Sequence, residues 1–237
     1  MKKKSSISVC FPCYNDAKTI GKLITESFKL LPQLSSDFEV IVVDDGSQDN
    51  SPQTLRNLQK KYKKLKVVFH KKNKGYGGAL RSAFKTAQKK LIFYTDGDGQ
   101  YDIKEMPLLL AVMTKDTDVV NGIKIERKDS IIRILLGYLY KSLVRNLFNL
   151  KIFDVDCDFR LIRRRALNSI KLTSNSGSIC VEMIKKLQNN GFQTREISVH
   201  HYPRKYGQSQ FFKIDKVVQT AGELFALWIK LMIFRKS

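Results

Sequence analysis

Cysteine is scarce in this sequence, and the spacing of the few cysteines argues against two classes of site. The 237 residues include four cysteines. Cys10 and Cys13 form a CxxC pair, but no second CxxC and no histidine pair answers it, which argues against a zinc or redox site. The basic start of the chain also lacks the long apolar run of a secretory signal. We therefore expect a cytoplasmic chain whose thiols are reduced.

The motifs of several well-known enzyme classes are also missing. The first predicted strand leads into PCYND rather than GxGxxG, so the dinucleotide-binding fingerprint is absent. The glycine-rich GYGGAL at 75–80 lacks the GKS or GKT of a P-loop, which argues against an ATPase or GTPase. No GxSxG elbow of a serine hydrolase occurs. What remains is a chain whose loops carry carboxylates in place of a phosphate-binding glycine turn.

Negative charge is in short supply. Lys and Arg number 43 against 22 Asp and Glu, which gives a formal net charge of +21. This excess predicts an anionic partner: nucleic acid, an anionic membrane surface or phosphorylated substrates. A lysine-rich genome would produce part of the excess without functional meaning. The chain is otherwise typical of globular proteins, with 43% hydrophobic residues and a length that suits one large domain or one and a half.

The first 123 residues alternate strand and helix patterns. Short runs rich in β-branched and aromatic residues predict strands at 7–11, 39–43, 66–70, 91–95 and 118–122. Helical patterns lie between them at 17–31, 52–63, 78–89 and 104–115. The alternation predicts an α/β fold with a mostly parallel sheet flanked by helices. In such sheets ligands bind beyond the carboxyl ends of the strands, where this chain carries its polar loops.

The stretch YTDGDGQYD at 94–102 places three carboxylates, Asp96, Asp98 and Asp102, directly after a predicted strand. Carboxylates gathered in this way repel one another unless a cation holds them. Asp96 and Asp98 form a D-x-D pair whose oxygen atoms suit Mg²⁺ or Mn²⁺, and Gln100 could add another oxygen. The alternative is a solvated turn that caps the next helix, because Asp and Gly are ordinary turn residues.

Acidic residues also follow the first two predicted strands. Asp44 and Asp45 could accept hydrogen bonds from a nucleotide base or ribose, whereas Asp49 fits a helix cap. Asn15 and Asp16 end the first strand and would close the same pocket, unless either one only caps a helix. The loops after three strands thus predict one polar pocket.

A further polar stretch is DVDCDFRLIRRR at 154–165. It is either a strand edge whose aspartates pair with its own arginines or part of an acceptor site. In the second interpretation Asp158 beside Arg160 orients the acceptor, and Arg163 to Arg165 hold its phosphate. A lipid phosphate oxygen is already anionic, so Asp158 would then position the acceptor rather than serve as an essential base.

Two helical patterns in the second half of the chain are strongly apolar, at 131–148 and 216–234. The first fits either a helix packed on the sheet or a helix lying in a membrane interface with its basic residues at headgroup level. For the second, lying flat is favoured over crossing the bilayer. Glu223 and Lys230 would each cost roughly 2.5–3.5 kcal/mol near a bilayer centre.

Six motifs occur in a characteristic order: PCYND, VVDDGSQD, NKGYGGAL, YTDGDGQYD, DCDFRLIRR and HHYPRKYGQS. In this the chain resembles the family-two glycosyltransferases of the GT-A fold, and most of all the polyprenyl-phosphate, dolichyl-phosphate mannose synthase-like members. The resemblance runs from about Ile7 to Phe212. We expect a GT-A catalytic domain over 1–212, with a nucleotide-sugar half at 1–123 and an acceptor half at 124–212, and an amphipathic C-terminal helix over 213–237.

The resemblance implies roles for individual residues, with Asp16 standing where the family more often has Glu. The residues expected to bind the nucleotide sugar are Pro12, Tyr14, Asn15, Asp16, Asp45, Gly75, Asp96, Gly97 and Asp98. Those expected to bind the metal are Asp96, Asp98 and Gln100. Those expected to hold the acceptor or its phosphate are Arg127, Arg163, Arg204 and Ser209. The expected catalytic residues are Asp158, Arg160 and Arg204.

The resemblance also implies the reaction. It is that of an inverting glycosyltransferase, dependent on Mg²⁺ or Mn²⁺, which moves a hexose of the mannose or glucose type from a GDP- or UDP-sugar to a polyprenyl phosphate. We expect a peripheral protein on the cytoplasmic face of the membrane, because many relatives continue into transmembrane helices whereas this sequence ends at Ser237. The expected partners are the nucleotide sugar, the lipid phosphate and an anionic membrane surface, without nucleic acid; a homo-oligomer is left open.

Two alternatives remain at the level of sequence. A family-two glycosyltransferase could extend a glycan or glycolipid with the same donor site, and a soluble acceptor would need neither Arg163 to Arg165 nor the apolar helices. A non-catalytic basic binding protein, for nucleic acid for example, would tolerate the loss of Asp96.

Overall fold

The computed structural model describes residues 5–125, 131–206 and 214–234. Its strands are β1 Ile7–Cys13, β2 Phe38–Asp44, β3 Leu65–Phe69, β4 Leu91–Thr95, β5 Val119–Ile125, β6 Phe159–Arg163 and β7 Thr194–His200. Its α-helices are α1 Ile20–Leu34, α2 Ser51–Lys61, α3 Gly75–Thr86, α4 Met106–Val112, α5 Ile131–Leu147, α6 Arg164–Asn168, α7 Ser178–Asn189 and α8 Ile214–Trp228. A 3-10 turn at Ile103–Glu105 precedes α4, and a π-helical turn at Ile229–Ile233 follows α8.

Within the described residues, the strands form one seven-stranded sheet in the order β3-β2-β1-β4-β6-β5-β7. Neighbouring strands are parallel except around β6, which runs antiparallel to both β4 and β5. The predicted α/β fold with a mostly parallel sheet is confirmed, and all five predicted strands are present. The predicted pattern contains no counterpart of β7 and α7.

Each face of the sheet has its own core, because successive side chains of a strand point to opposite faces. One core contains Cys10 and Tyr94, and the other contains Val9, Phe93 and Cys13. All residues of β1 and β2 are buried, as central strands covered by helices on both faces require. Because Cys10 and Cys13 lie in opposite cores, the thiols of the CxxC pair face away from each other.

The strand directions bring four chain segments to one edge of the sheet. Cys13 at the end of β1 pairs with Asp44 at the end of β2. Thr95 at the end of β4 pairs with Phe159, the first residue of the antiparallel β6. The loops after β1, β2 and β4 therefore meet the segment that leads into β6.

The two apolar patterns of the second half are the helices α5 and α8. They contact where the indole Nε1 of Trp228 donates to the carbonyl oxygen of Leu147 at 3.0 Å. Both expose large apolar side chains, among them Leu143 with 59% and Phe225 with 65% of their surface accessible. None of the helices in the described ranges is both long enough and apolar enough to cross a bilayer.

Candidate active site

The turn after β4 packs directly against the loop after β1. A Cβ atom added to Gly97 would lie 2.6 Å from the carbonyl oxygen of Pro12 and 3.3 Å from Oδ2 of Asp16, so the approach requires glycine. The hydroxyl of Thr19 donates to the carbonyl oxygen of Gly97 at 2.7 Å. These contacts bring together Pro12, Asp16 and Gly97, which are all predicted to bind the nucleotide sugar.

The loop after β1 is also tied to the loop after β2. Asn15 has a φ of 58°, a left-handed conformation that asparagine tolerates. Its amide donates to Oγ of Ser47 at 2.9 Å, and its Oδ1 accepts from the amide of Gln48 at 2.8 Å. The amide of Tyr14 donates to Oδ2 of Asp16 at 3.2 Å. Burial raises the pKa of Asp16 to about 6, and nearby carboxylates add to the rise.

Asp45 is buried, and its Oδ1 is held from two sides. His70 Nδ1 lies 2.5 Å from this oxygen, and the amide of Lys74 donates to it at 2.9 Å. The other ring nitrogen of His70 lies 2.8 Å from Oγ of Ser82. His70 was not predicted at this site; the sequence indicated only that it ends the third strand. A nucleotide contact of Asp45 stays a prediction, with one carboxylate oxygen already bonded.

Carboxylates crowd the end of β4. Oδ1 of Asp96 accepts a hydrogen bond from the hydroxyl of Tyr76 at 2.8 Å. Oδ2 of Asp98 lies 2.6 Å from Nη2 of Arg204. Burial, together with the charges of Asp158 and Asp98, raises the pKa of Asp96 well above its ordinary value. The group therefore gathers more carboxylates than the Arg204 guanidinium balances.

A segment from late in the chain closes over this turn. The amide of Tyr202 donates to the carbonyl oxygen of Gln100 at 2.8 Å, and Nε2 of Gln100 donates back to the carbonyl oxygen of Tyr202 at 3.0 Å. These two hydrogen bonds hold the segment at Tyr202 against the turn, and Arg204, two residues later, lies beside Asp98. Burial lowers the pKa of Arg204, but the neighbouring carboxylates raise it above its ordinary value and keep the guanidinium charged. The predicted phosphate contacts Ser209 and Arg127 lie outside the described residues.

The first turn of α3 adds a tyrosine that sequence reasoning missed. Gly75 has a φ of 78°, and a Cβ atom there would overlap the carbonyl oxygen of Asn175. Gly75 therefore serves close packing, whereas its predicted contact with the nucleotide sugar stays a prediction. Tyr76 follows it, and burial together with the charges of Asp158 and Asp96 raises the pKa of its phenol. The motif NKGYGGAL contained this residue, but nothing in the sequence indicated its partner.

Asp158 lies beside the acidic turn because it immediately precedes β6. Its Oδ1 accepts a hydrogen bond from Sγ of Cys180 on α7 at 3.0 Å. Burial raises the pKa of Asp158, and Arg160 opposes this rise. Among the predicted acceptor residues, Asp158 is thus brought next to Asp96.

The structure places Arg160 away from the open side of the site, so its catalytic role stays a prediction that the geometry does not support. Arg160 is completely buried in the sheet. Its guanidinium donates to Oδ1 of Asn121 and to the hydroxyl of Tyr94, both at 2.6 Å, and to the carbonyl oxygens of Val155 and Cys157 at 3.0 and 3.3 Å. The guanidinium is thus bonded to protein groups in four directions and has no exposed surface. Its role is to fix the segment that leads into β6.

The structure does not bring Arg163 to the acidic turn either, so its contact with an acceptor phosphate stays a prediction. Arg163 pairs with Leu91, the first residue of β4, so it lies about 16 Å along the strand from Asp96 at ~3.3 Å per residue. Its guanidinium donates to the carbonyl oxygens of Thr117 and Thr114 at 2.8 and 2.7 Å. The antiparallel direction of β6 carries the arginine run to the opposite edge of the sheet.

Asp96 and Asp98 are the residues best suited to hold a divalent cation. Burial is the main cause of the raised pKa of Asp96, and the charges of Asp158 and Asp98 add a repulsion that a cation would relieve. No group of three His, Cys, Asp or Glu side chains in the described part of the chain is arranged to hold a metal alone. The pair still fits Mg²⁺ or Mn²⁺, since such ions often bind through one or two carboxylates and take substrate phosphates and water as further ligands. Gln100 as a ligand stays a prediction, because its side-chain amide donates to Tyr202.

Known proteins share both the sequence pattern and the fold. A family model described as "Glycosyl transferase family 2" matches residues 8–171. The undecaprenyl-phosphate 4-deoxy-4-formamido-L-arabinose transferase of Proteus mirabilis (strain HI4320) is 28% identical over 214 residues, which is 88% of this chain and 64% of that protein. The protein of the same name from Aeromonas hydrophila is 29% identical over 208 residues, 86% of this chain and 62% of its own length. The chain thus spans less than two thirds of these relatives.

Solved structures extend the likeness to nearly the whole chain. Glucosyl-3-phosphoglycerate synthase from Mycobacterium tuberculosis, in complex with Mn²⁺, uridine diphosphate and glucosyl-3-phosphoglycerate, superposes with a TM-score of 0.73. The match covers 95% of this chain and 79% of that one at 15% identity. The same synthase with Mn²⁺, uridine diphosphate and phosphoglyceric acid also gives a TM-score of 0.73. At this identity the likeness establishes the fold, which is the GT-A fold that the motifs implied.

Proposed function

The chain belongs to glycosyl transferase family 2, and from this premise we propose that it transfers a sugar from a nucleotide sugar to a polyprenyl phosphate. The observation that carries the proposal is the contact of Arg204 with Asp98 at 2.6 Å, next to Asp96. It joins a D-x-D turn to a cation 106 residues later, at the sheet edge where α/β folds bind ligands. Carboxylates for a metal and a guanidinium for phosphate are the two groups that a sugar diphosphate requires.

The donor lies across the loops that meet at this edge. We assign the nucleoside to the wall formed by the loops after β1 and β2, where Asn15, Asp16 and Asp45 offer polar atoms. The diphosphate lies near Asp96, Asp98 and Arg204. Without ligand, Arg204 neutralises Asp98. On donor binding Arg204 exchanges this carboxylate for the diphosphate.

Asp96 and Asp98 are the residues that would hold Mg²⁺ or Mn²⁺ in this complex. A bound divalent ion neutralises charge that develops on the departing nucleoside diphosphate. Arg204 adds a positive charge from the protein itself, already placed before the reaction begins. The hydroxyl of Tyr76, 2.8 Å from Oδ1 of Asp96, fixes the orientation of that carboxylate.

The acceptor approaches from the side of Asp158. A phosphate oxygen of the lipid attacks the anomeric carbon, the bond to the diphosphate breaks, and its electron pair leaves with the nucleoside diphosphate. One displacement of this kind inverts the anomeric centre. The attacking oxygen is already anionic, so Asp158 positions the acceptor and no base is required. The proposal of a lipid acceptor is supported by the relatives, which are named as undecaprenyl-phosphate transferases.

A lipid acceptor requires contact with a membrane surface, and α5 and α8 offer one. Leu139 and Leu143 on α5 and Phe225 on α8 expose more than half of their surface. Apolar side chains of this kind insert into an interface. The net charge of +21 would draw the protein to anionic headgroups. We therefore place the protein at the cytoplasmic face of a membrane as a peripheral enzyme.

The transferred sugar is proposed as a hexose linked to GDP or UDP. The relatives are named for 4-deoxy-4-formamido-L-arabinose, which is a pentose. Nucleotide-linked mannose, glucose and 4-deoxy-4-formamido-L-arabinose therefore form the donor set to be compared.

The test is transfer of radiolabel from each donor to undecaprenyl phosphate in the presence of Mn²⁺, read as label in the organic phase. Asp98→Asn is expected to lower transfer by about a hundredfold or more, because it removes charge from the metal and diphosphate site. The matched control is Asp116→Asn, an exposed aspartate just before β5, and it is expected to leave transfer unchanged.

Other results would redirect the proposal. Label that enters a glycan or glycolipid, and not the lipid phosphate, would identify a chain-extending glycosyltransferase. Absence of transfer from every donor, together with nucleic-acid binding that survives Asp98→Asn, would identify a binding protein instead.

A further inference from the structure

Glu223 is an acidic side chain on the otherwise apolar second half of α8, and the proposed reaction gives it no role. Its Oε2 accepts from the hydroxyls of Ser178 and Ser176 at 2.7 and 2.8 Å and from the amide of Ser176 at 3.1 Å. The amide of Asn175 adds a contact at 3.3 Å. Burial raises the pKa of Glu223, but these hydrogen bonds outweigh it and keep the pKa below its ordinary value. The carboxylate therefore binds the loop before α7 in its charged form.

This loop, residues 173–178, is held from within α7 as well. The carboxylate of Glu182 accepts from the amides of Thr173 and Ser174 at 3.0 and 2.8 Å. Lys186 lies 3.1 Å from Glu182 and balances its charge. Glu182 belongs to the helix that the loop enters, whereas Glu223 comes from α8. Glu223 therefore links the position of α8 to the position of the 173–178 loop.

The 173–178 loop packs against the first turn of α3 without free space. The amide of Gly77 donates to the carbonyl oxygen of Asn175 at 2.8 Å. Arg81 donates to Oδ1 of Asn175 at 2.6 Å and to the carbonyl oxygen of Ser174. A Cβ atom at Gly75 or Gly77 would overlap the loop backbone. A shift of the loop must therefore be passed to the start of α3.

Tyr76 lies between these two glycines, and its hydroxyl donates a hydrogen bond to Asp96. Tyr76 therefore connects the 173–178 loop to the site. We propose that Glu223 is a positioning residue that couples the seating of α8 to donor binding, through the 173–178 loop and Tyr76. The inference rests on the proposed function for the identity of the ligand at Asp96. With α8 seated, Tyr76 orients the Asp96 carboxylate for the donor complex. Loss of the Glu223 contact releases the first turn of α3 and weakens donor binding.

The coupling explains why α8 combines an apolar surface with the acidic residue Glu223. Phe225, two residues after Glu223, exposes 65% of its surface. One part of the helix is thus available to a lipid surface while Glu223 holds the loop. An enzyme whose acceptor lies in a membrane gains from tight donor binding when that helix is in place.

The first experiment measures amide exchange in the full chain for the wild type, Glu223→Gln and the matched control Glu26→Gln. Glu26 on α1 has an ion pair with exposed Lys22 at 3.8 Å, so its charge is removed away from the loop. In Glu223→Gln we expect the Gly77 amide and the 173–178 loop to exchange at least tenfold faster. Faster exchange in the loop without a change at Gly77 would overturn the proposal, and so would unchanged exchange in both.

The second experiment measures the Mn²⁺-dependent affinity for UDP and for GDP in wild type, Tyr76→Phe, Glu223→Gln and the double variant. Each single variant is expected to weaken the nucleotide affinity at least fivefold. The double variant is expected to weaken it no further than the single variants, because both residues act through one contact. A purely structural Glu223 would leave nucleotide affinity unchanged, and additive effects would exclude the route through Tyr76; either result overturns the proposal.

Two outcomes need separate interpretation. If the wild type binds neither nucleotide, the proposed donor site fails, and the exchange at Gly77 alone decides whether Glu223 couples to α3. If Glu223→Gln does not accumulate as folded protein, Ser178→Ala removes one of the same hydrogen bonds and leaves the carboxylate in place. It is expected to give the same pattern in both experiments at smaller amplitude, and an unchanged Gly77 amide would overturn the proposal.

Discussion

Replacing Arg160 with methionine tests whether this arginine supports the fold or the reaction. The variant keeps an unbranched apolar side chain and removes four hydrogen bonds. The bonds do not add up to their separate strengths, because the variant also removes the cost of burying a charge. Each neutral partner left unsatisfied in the interior typically costs about 1–3 kcal/mol, so we expect a net loss of about 3–5 kcal/mol. That is a large fraction of the ~5–15 kcal/mol by which domains are stable.

The assay is urea unfolding followed by circular dichroism, with nucleotide affinity measured where the variant is still folded. We expect the midpoint to fall at an unchanged slope, and the nucleotide affinity to stay within about threefold of wild type. Arg160→Lys should lose most of the same stability, because one ammonium cannot replace a planar fork bonded in four directions. The control Arg163→Met, which removes bonds to two backbone carbonyl oxygens at the far edge of the sheet, should cost only about 1 kcal/mol.

A stable Arg160→Met protein would refute the reasoning. If its urea midpoint matched the wild type while transfer was lost, the guanidinium would serve the reaction after all. Restoration of stability by lysine would also contradict the structure, since it would show that charge alone, and not the set of hydrogen bonds, is needed.

Three further predictions follow from single contacts. Gly97→Ala places a methyl group 2.6 Å from a backbone carbonyl oxygen and should weaken nucleotide affinity tenfold or more in a titration. In contrast, a Cβ atom at Gly222 would have nothing within 4 Å, so Gly222→Ala should stabilise α8 by about 1 kcal/mol in thermal unfolding. Burial raises the pKa of Asp154 to about 6, so ionisation of this carboxyl opposes folding. The unfolding free energy, measured by urea titration at each pH, should therefore fall as the pH rises from about 4 to 6. Asp154→Asn should flatten this fall. His70→Leu leaves the buried Asp45 carboxylate without its partner at 2.5 Å. The unfolding free energy, measured by urea unfolding, should therefore fall by about 1–3 kcal/mol. Adding Asp45→Asn to the same variant should recover part of the loss.

The first half of the fold could be predicted because its signals are local. Each of the five predicted strands is a short run of β-branched and aromatic residues, and helical periodicity separates one from the next. Because β1, β2 and β4 are parallel, their carboxyl ends and the loops that follow them lie at one edge of the sheet. The packing of Gly97 against the loop after β1 agrees with that expectation.

The partners of the site residues could not be predicted in the same way. His70 binds Asp45 from 25 residues away, and Tyr76 reaches Asp96 from 20 residues away. Neither residue type indicates by itself where it will point. Glu223 is the extreme case. From the sequence, a carboxylate on an apolar helix is expected to be unfavourable, whereas in the structure the hydroxyls of Ser176 and Ser178 donate hydrogen bonds to it. Such pairings depend on how distant elements pack, which one sequence does not encode locally.

The direction of β6 decides which of the predicted acceptor residues reaches the acidic turn. Asp158 and Arg163 are five residues apart, and in the sequence they look like one acceptor site. A strand lies between them, so they must end at opposite edges of the sheet, and the direction of that strand decides which of them reaches the acidic turn. Because β6 is antiparallel to β4, its first residue Phe159 pairs with Thr95, and Asp158 comes to lie beside Asp96. A parallel β6 would have placed the arginines there instead. The structure thus brings Asp158, and not the arginine run, to the acidic turn, where Arg204 lies 2.6 Å from Asp98.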